Sequence, residues 1–130
     1  MSYYESDALT IEWESTIDAV VMDWHNFAKG DQYREGLEKG LELVEEKRAE
    51  NWLADLRDLG TVTQEDQEWT QEEWHPRAFE TSLSTIAVIQ PESVVANMSV
   101  ENLVQEFGSN ENKSRIFSDR DEAESWLKNQ

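Results

Sequence analysis

Apolar and polar residues alternate from Leu9 to Glu14, with Leu9, Ile11 and Trp13 on one side and Thr10, Glu12 and Glu14 on the other. A period of two predicts a strand with one wet face, suited to a sheet edge. Ser15-Thr16 separates it from Ile17–Trp24, where the run Ala19-Val20-Val21-Met22 is apolar on both faces and predicts a strand covered on both sides. The two are expected to pair as a hairpin. From Gly30 the period becomes helical: Tyr33, Leu37, Leu41 and Val44 fall on one face, with Glu35, Glu38, Glu42 and Glu45 opposite. Gly36 and Gly40 each cost about 1 kcal/mol of helix propensity, and close approach of this helix to the sheet explains them best.

Asn51–Arg57 returns to a strand with Trp52, Ala54 and Leu56 on one face and Leu53, Asp55 and Arg57 on the other. Gly60 supplies a turn, and Thr63 with Asp66 three residues on forms a capping pair that starts a helix at Gln64. Pro76 removes a bond to the carbonyl of Glu72, so a kink or an end is predicted near Trp74-His75. Leu83–Ile89 reads as a further central strand. Pro91 opens a short helix with Val94, Val95 and Met98, and Ser99 caps a second one with Val100, Leu103, Val104 and Phe107, ended by Gly108. Ser109–Lys113 is a polar, mobile loop. Arg115–Phe117 is a last strand, and Ser118 with Asp121 caps a closing helix carrying Ala123, Trp126 and Leu127. The order β-β-α-β-α-β-α-β-α predicts one α/β domain over residues 1–130, with a flexible tail at 1–7 and a mostly parallel mixed sheet carrying one antiparallel edge strand and packed helices.

Composition narrows the partners. Of the 130 residues 38% are hydrophobic and six are Trp, enough for a core despite 31% charge. The formal net charge of −18 repels phosphate backbones and anionic surfaces, so no nucleic acid and no membrane insertion are expected. Cysteine is absent, which removes disulfides and thiol chemistry, and no apolar run is long enough to span a bilayer. A cytoplasmic location is the expectation. His25 and His75 are the two imidazoles and have no ligand spacing, so neither a metal nor another cofactor is expected. Ser, His and Asp occur without a nucleophile-elbow sequence, and among 29 acids a carboxylate pair carries no information.

The segments WLADLRDLG, EDQEW and WHPR, the run IAVIQPESVVANMSVEN and the ending F-x-x-x-x-E-A-x-x-W-L span roughly Leu9 to Leu127. Together with the order of elements they resemble the SpoIIAA-like, STAS-like domains, whose α/β fold is shared with anti-sigma-factor antagonists. The resemblance implies a regulatory or binding module, not an enzyme, and a phosphoacceptor in the loop from a central strand into the next helix. Here that loop is Leu59-Gly60-Thr61-Val62-Thr63, without the Asp-Ser-Ser/Thr signature, and Thr61 and Thr63 are the acceptors on offer.

Parallel strands place their C-terminal ends on one edge, where ligands bind near a switch in strand order. The loops expected there are Trp24-His25-Asn26, Arg57–Thr63, Gln90-Pro91-Glu92 and Ser118-Asp119, which give His25, Asn26, Arg57, Asp58, Thr61 and Gln90 as ligand or partner-binding candidates. Trp74, beside Pro76, is expected to be partly exposed and to anchor a partner protein or a second copy. Asp55, Arg57, Asp66 and Arg77 are expected to form a structural ion-pair network, with Arg57 and Arg77 as the mates of Asp55. The function expected first is a non-enzymatic regulatory or protein-interaction module acting through a protein partner or as a homodimer. A carrier or sensor of a small apolar or amphipathic ligand held between helices and sheet comes second, and a small hydrolase third.

Overall fold

A computed structural model describes residues 2–91, 93–108 and 112–130 and shows an α/β fold built on a six-stranded, mostly parallel mixed sheet. Strand β2 (Leu9–Glu14) pairs antiparallel with both β1 (Tyr4–Glu5) and β3 (Ala19–Trp24), while β4 (Asn51–Asp55), β5 (Thr85–Ile89) and β6 (Lys113–Phe117) each pair parallel with the strand before them. The antiparallel edge is one strand wider than expected. Tyr4 and Glu5, assigned to a flexible tail by the sequence, instead continue the sheet, and the Tyr3 amide donates to the Ile11 carbonyl at 2.7 Å. A short 3-10 turn, Ser15–Ile17, makes the β2–β3 connection. It closes on Asp18, whose φ of 51° is left-handed, and it is capped by the Glu14 carboxylate.

The strand order is β1-β2-β3-β4-β5-β6, so every parallel crossover steps the same way across the sheet. Three crossovers bring α1 (Asp31–Lys47), then α2 (Gln64–Trp69) and α3 (His75–Phe79), then α4 (Val94–Gly108) onto one face. The sheet's period of two sends Val20, Met22, Trp24, Trp52, Ala54, Ile86 and Val88 toward these helices. The opposite side chains, among them Val21, Leu53, Ala87 and Ile89, form a smaller core covered by α5 (Arg120–Lys128) through Ala123 and Leu127. An order that never reverses has no switch point, so the crevice anticipated at the C-terminal edge has no topological origin here.

Gly36 and Gly40 lie where α1 crosses the aromatic side chains of the sheet. A Cβ at Gly36 would sit 2.6 Å from Leu9 Cδ2 and 2.7 Å from Trp24 Cη2, and one at Gly40 would run into Trp52 and lie 2.9 Å from Met22 Sδ. Close packing, not chain flexibility, accounts for both.

Three local expectations change. Val94–Gly108 is one helix, because the Ser99 hydroxyl donates to the Ala96 carbonyl (2.6 Å) within it and accepts from the Val62 amide (3.1 Å) instead of capping a new segment. Asp119, not Ser118, caps α5 by accepting from the Asp121 amide at 3.1 Å. Lys113 begins β6; the rest of the expected mobile loop falls largely at 109–111, outside the described residues.

Candidate functional site

Pro76 cannot donate a backbone hydrogen bond, yet the helix neither ends nor breaks there. Between α2 and α3 the chain takes a π turn, Thr70–Trp74, in which the His75 amide donates to the Thr70 carbonyl five residues back. Thr63 starts α2 as expected, with its hydroxyl accepting from the Asp66 amide at 3.3 Å. The π turn directs Thr70 and Trp74 inward, and His75 follows them; all three are buried. Turns of this kind recur at functional sites.

Facing these residues across the interior is a cavity of about 80 Å³ between the helices and the sheet. Trp24, Trp52, Ala54, Ile86 and Val88 form its floor, and Tyr33 and Leu37 of α1 form one wall. Val100, Leu103, Val104 and Phe107 of α4 form the other, while Leu56, Leu59 and Val62 close the end nearest the β4–α2 loop. The lining is almost wholly apolar and strongly aromatic. Trp52 and Trp74 meet edge to face at 5.1 Å, and Trp24 stacks on Tyr33 at 5.9 Å.

Polar groups reach the cavity at three places. Trp74 Nε1 donates to the Leu37 carbonyl at 3.0 Å. Thr70 Oγ donates to the Asp66 carbonyl at 2.7 Å, so it receives the Tyr33 hydroxyl proton at 3.0 Å. Burial pushes the Tyr33 phenol well above its ordinary pKa; the hydrogen bond with Thr70 opposes this, and the charge of Asp66 adds to it. His75 Nδ1 lies 2.6 Å from Glu106 Oε1, and its ring packs against Trp74, Phe79 and Phe107. Burial holds the His75 imidazole below its ordinary pKa; the hydrogen bond and charge of Glu106 oppose this without reversing it.

The chain matches no family model, no curated protein and no solved structure.

Of the ligand- or partner-binding candidates named from the sequence, Trp74 alone lines the cavity, and it is only 3% exposed, which corrects its assignment as a surface anchor. The indole is drawn inward because the π turn replaces the kink. His25 and Asn26 are exposed and tie the residues after β3 to β2 and to the residues before it: His25 Nε2 meets Thr10 Oγ at 2.8 Å, and Asn26 Nδ2 donates to the Asp7 carbonyl at 2.9 Å. Asp58 and Thr61 are exposed in the β4–α2 loop, whereas the Thr63 hydroxyl is engaged with Asp66. Gln90 extends β5 through its amide, which donates to the Phe117 carbonyl at 2.8 Å; Glu92 lies outside the described residues.

The expected ion-pair network separates into three. Asp55 is held in a fork by Arg57 (Nε 3.0 Å, Nη2 2.7 Å) and approached at 3.7 Å by Arg120, which also donates to Asp23 at 2.7 Å and to Glu124 at 3.1 Å. Burial works to raise the Asp55 carboxyl, but the Arg57 hydrogen bonds with the charges of Arg57 and Arg120 outweigh it and hold the group below its ordinary value. Asp66, fully buried, accepts from the Gly30 amide (2.9 Å), Arg34 Nε (3.2 Å) and Thr63 Oγ (2.9 Å). Arg77 forks onto Glu38 at the surface and takes no part in holding Asp55. The register explains the difference: Asp55 lies beside Asp23 on the α5 face, and Arg77 belongs to the helices of the other face.

Sequence reasoning missed Tyr33, Thr70 and Glu106. Tyr33 reads as an ordinary core position of α1. The signal that was present is the spacing Thr70-x-x-x-Trp74-His75 just before a proline, where a lost backbone donor demands some rearrangement of the turn.

Proposed function

We propose that the protein is a non-enzymatic carrier or sensor of a small apolar ligand, held between the helices and the sheet. The observation that carries this reading is the unfilled, aromatic-lined cavity of about 80 Å³ in an interior that larger side chains would otherwise fill. Voids larger than a water molecule are few in a natural core. Its polar groups are few and fixed, as in sites that orient a ligand instead of transforming it. Native mass spectrometry of the full chain purified from its own host supports the reading if a co-purified small molecule is released on denaturation. The variant Ala54→Leu, which grows a side chain from the cavity floor, is expected to lose that molecule while keeping or raising its melting temperature. A strongly destabilised Ala54→Leu, together with no bound molecule, overturns the reading.

A second reading, a protein-interaction module of STAS-like type, has a different observation behind it. Val94, Val95 and Met98 are 77%, 67% and 61% exposed at the start of α4, an apolar group on the surface of a highly charged chain. Sedimentation of the full chain tests for a homodimer through this patch. Dissociation by Met98→Glu favours that reading, and a monomer at all concentrations removes it.

A further inference from the structure

No residue lining the cavity is more than 9% exposed, so an occupant enters or leaves when part of the wall moves. Most of that wall is regular structure. Strands β3, β4 and β5 make the floor, and α1, the π turn with α3, and α4 make the sides, all held by ladders of backbone hydrogen bonds. Leu56, Leu59 and Val62 are the lining residues that lie outside helix and strand, in the β4–α2 loop. Local opening is drawn from the parts of a fold with least such support.

Both ends of this loop are pinned. At one, the Leu56 amide donates to the Ile89 carbonyl at 3.0 Å and the Arg57 side chain forks onto Asp55; at the other, Thr63 is bound to Asp66 as the cap of α2. Between them Gly60 has a left-handed φ of 81°, and the Leu59 amide bonds within the loop, to the Leu56 carbonyl at 3.2 Å. Val62 carries the ties to the helices. Its amide donates to the Ser99 hydroxyl of α4 at 3.1 Å, and its carbonyl accepts from Gln67 Nε2 of α2 at 2.9 Å. From outside, the half-exposed Phe27 lies over Gly60, with a ring carbon 3.6 Å from where a Cβ would stand. We propose that residues 58–62 are the gate of the cavity, lifting Leu59 and Val62 off its end to admit and release a small apolar ligand, with Ser99 as the latch and Phe27 as a strap over the turn. The gate deepens the carrier reading and rests on it.

The probe is xenon, an apolar atom that enters dry protein cavities and suits one of about 80 Å³. Magnetic resonance exchange spectroscopy of the gas over the full chain gives its entry rate, its exit rate and their ratio, the affinity. Ser99→Ala leaves the Val62 amide without its acceptor in the closed loop, while in the open loop water supplies one. A closed state weakened in this way opens more often, and entry and exit are both expected to quicken about fivefold with affinity within twofold. Phe27→Ala, on the surface, is expected to quicken both by roughly twofold or more without disturbing the core, and it serves as the test if Ser99→Ala does not fold. Tyr3→Ala, another exposed aromatic, removed on the β1 edge, is expected to leave both rates alone. Xenon bound with unaltered rates in Ser99→Ala and Phe27→Ala overturns the gate and leaves the carrier reading standing. A faster exit alone, with affinity falling to match, means that these residues shape the cavity and not its opening, and overturns the gate as well. Failure of the unaltered chain to bind xenon counts against the carrier reading itself, and the gate falls with it.

Discussion

His75 illustrates how one buried side chain links acidity to stability. Its pKa in the folded chain lies below the ordinary value of 6.5, so on acidification the unfolded chain takes up a proton before the native one does. The stability it contributes is therefore complete above about pH 6.5 and declines as pH falls through the folded value. Urea midpoints for wild type and His75→Gln, measured from pH 8 to pH 5, are expected to converge toward the acid end, since the variant lacks this titration. An unchanged gap across the range would mean that burial does not disfavour the protonated ring. Asp55 acts in the same direction but lower: its folded value is depressed by its arginine partners, so its contribution persists above about pH 4 and is lost below. Asp55 was legible in the sequence as a buried charge in need of a partner, and so was Arg57 as that partner. Arg120 was not, since it reaches Asp55 and Asp23 from a helix 65 positions and more along the chain, and no local pattern encodes that distance.

At the level of elements, α1 is fitted to the sheet by two missing side chains. Gly40→Ala gains about 1 kcal/mol of helix propensity but drives a methyl group into Trp52 and Met22, and overpacking of this kind costs about 1–3 kcal/mol. A net loss of stability is expected, read as a lower melting temperature with unchanged helical circular dichroism at 20 °C; a gain would show that α1 can lift away from the sheet. Strands β2 to β5 and the start of α2 were legible because each depends on its own periodicity or cap. The π turn was not. Pro76 announced that a backbone bond would be lost, but whether a helix answers by ending, kinking or widening depends on what its inner face packs against, and Trp74 meets Trp52, Leu37 and the α4 wall only in the folded chain. The division of α4 at Ser99 failed for a related reason: that hydroxyl serves the Val62 amide, a partner 37 residues away.

Across the whole molecule, a formal charge of −18 on 130 residues makes the folded state work against its own repulsion. Raising sodium chloride from 10 mM to 500 mM shortens the screening length from about 30 Å to a few ångströms, and the melting temperature is expected to climb with it. A flat or falling response, followed calorimetrically, would show that the ion pairs around Asp55 and Asp66 outweigh the general repulsion. Among the described residues no helix is long and apolar enough to cross a membrane. The unequal dressing of the two sheet faces has a consequence for the order in which the chain matures. Each crossover helix follows closely on a strand of its own face, so the larger core can assemble stepwise from near neighbours. The other face, with Val21, Leu53, Ala87 and Ile89, waits for α5, which comes after all six strands. On the ribosome that strip stays bare through most of synthesis, and it is there, not at the cavity, that a chaperone or an errant neighbouring chain would first find hold.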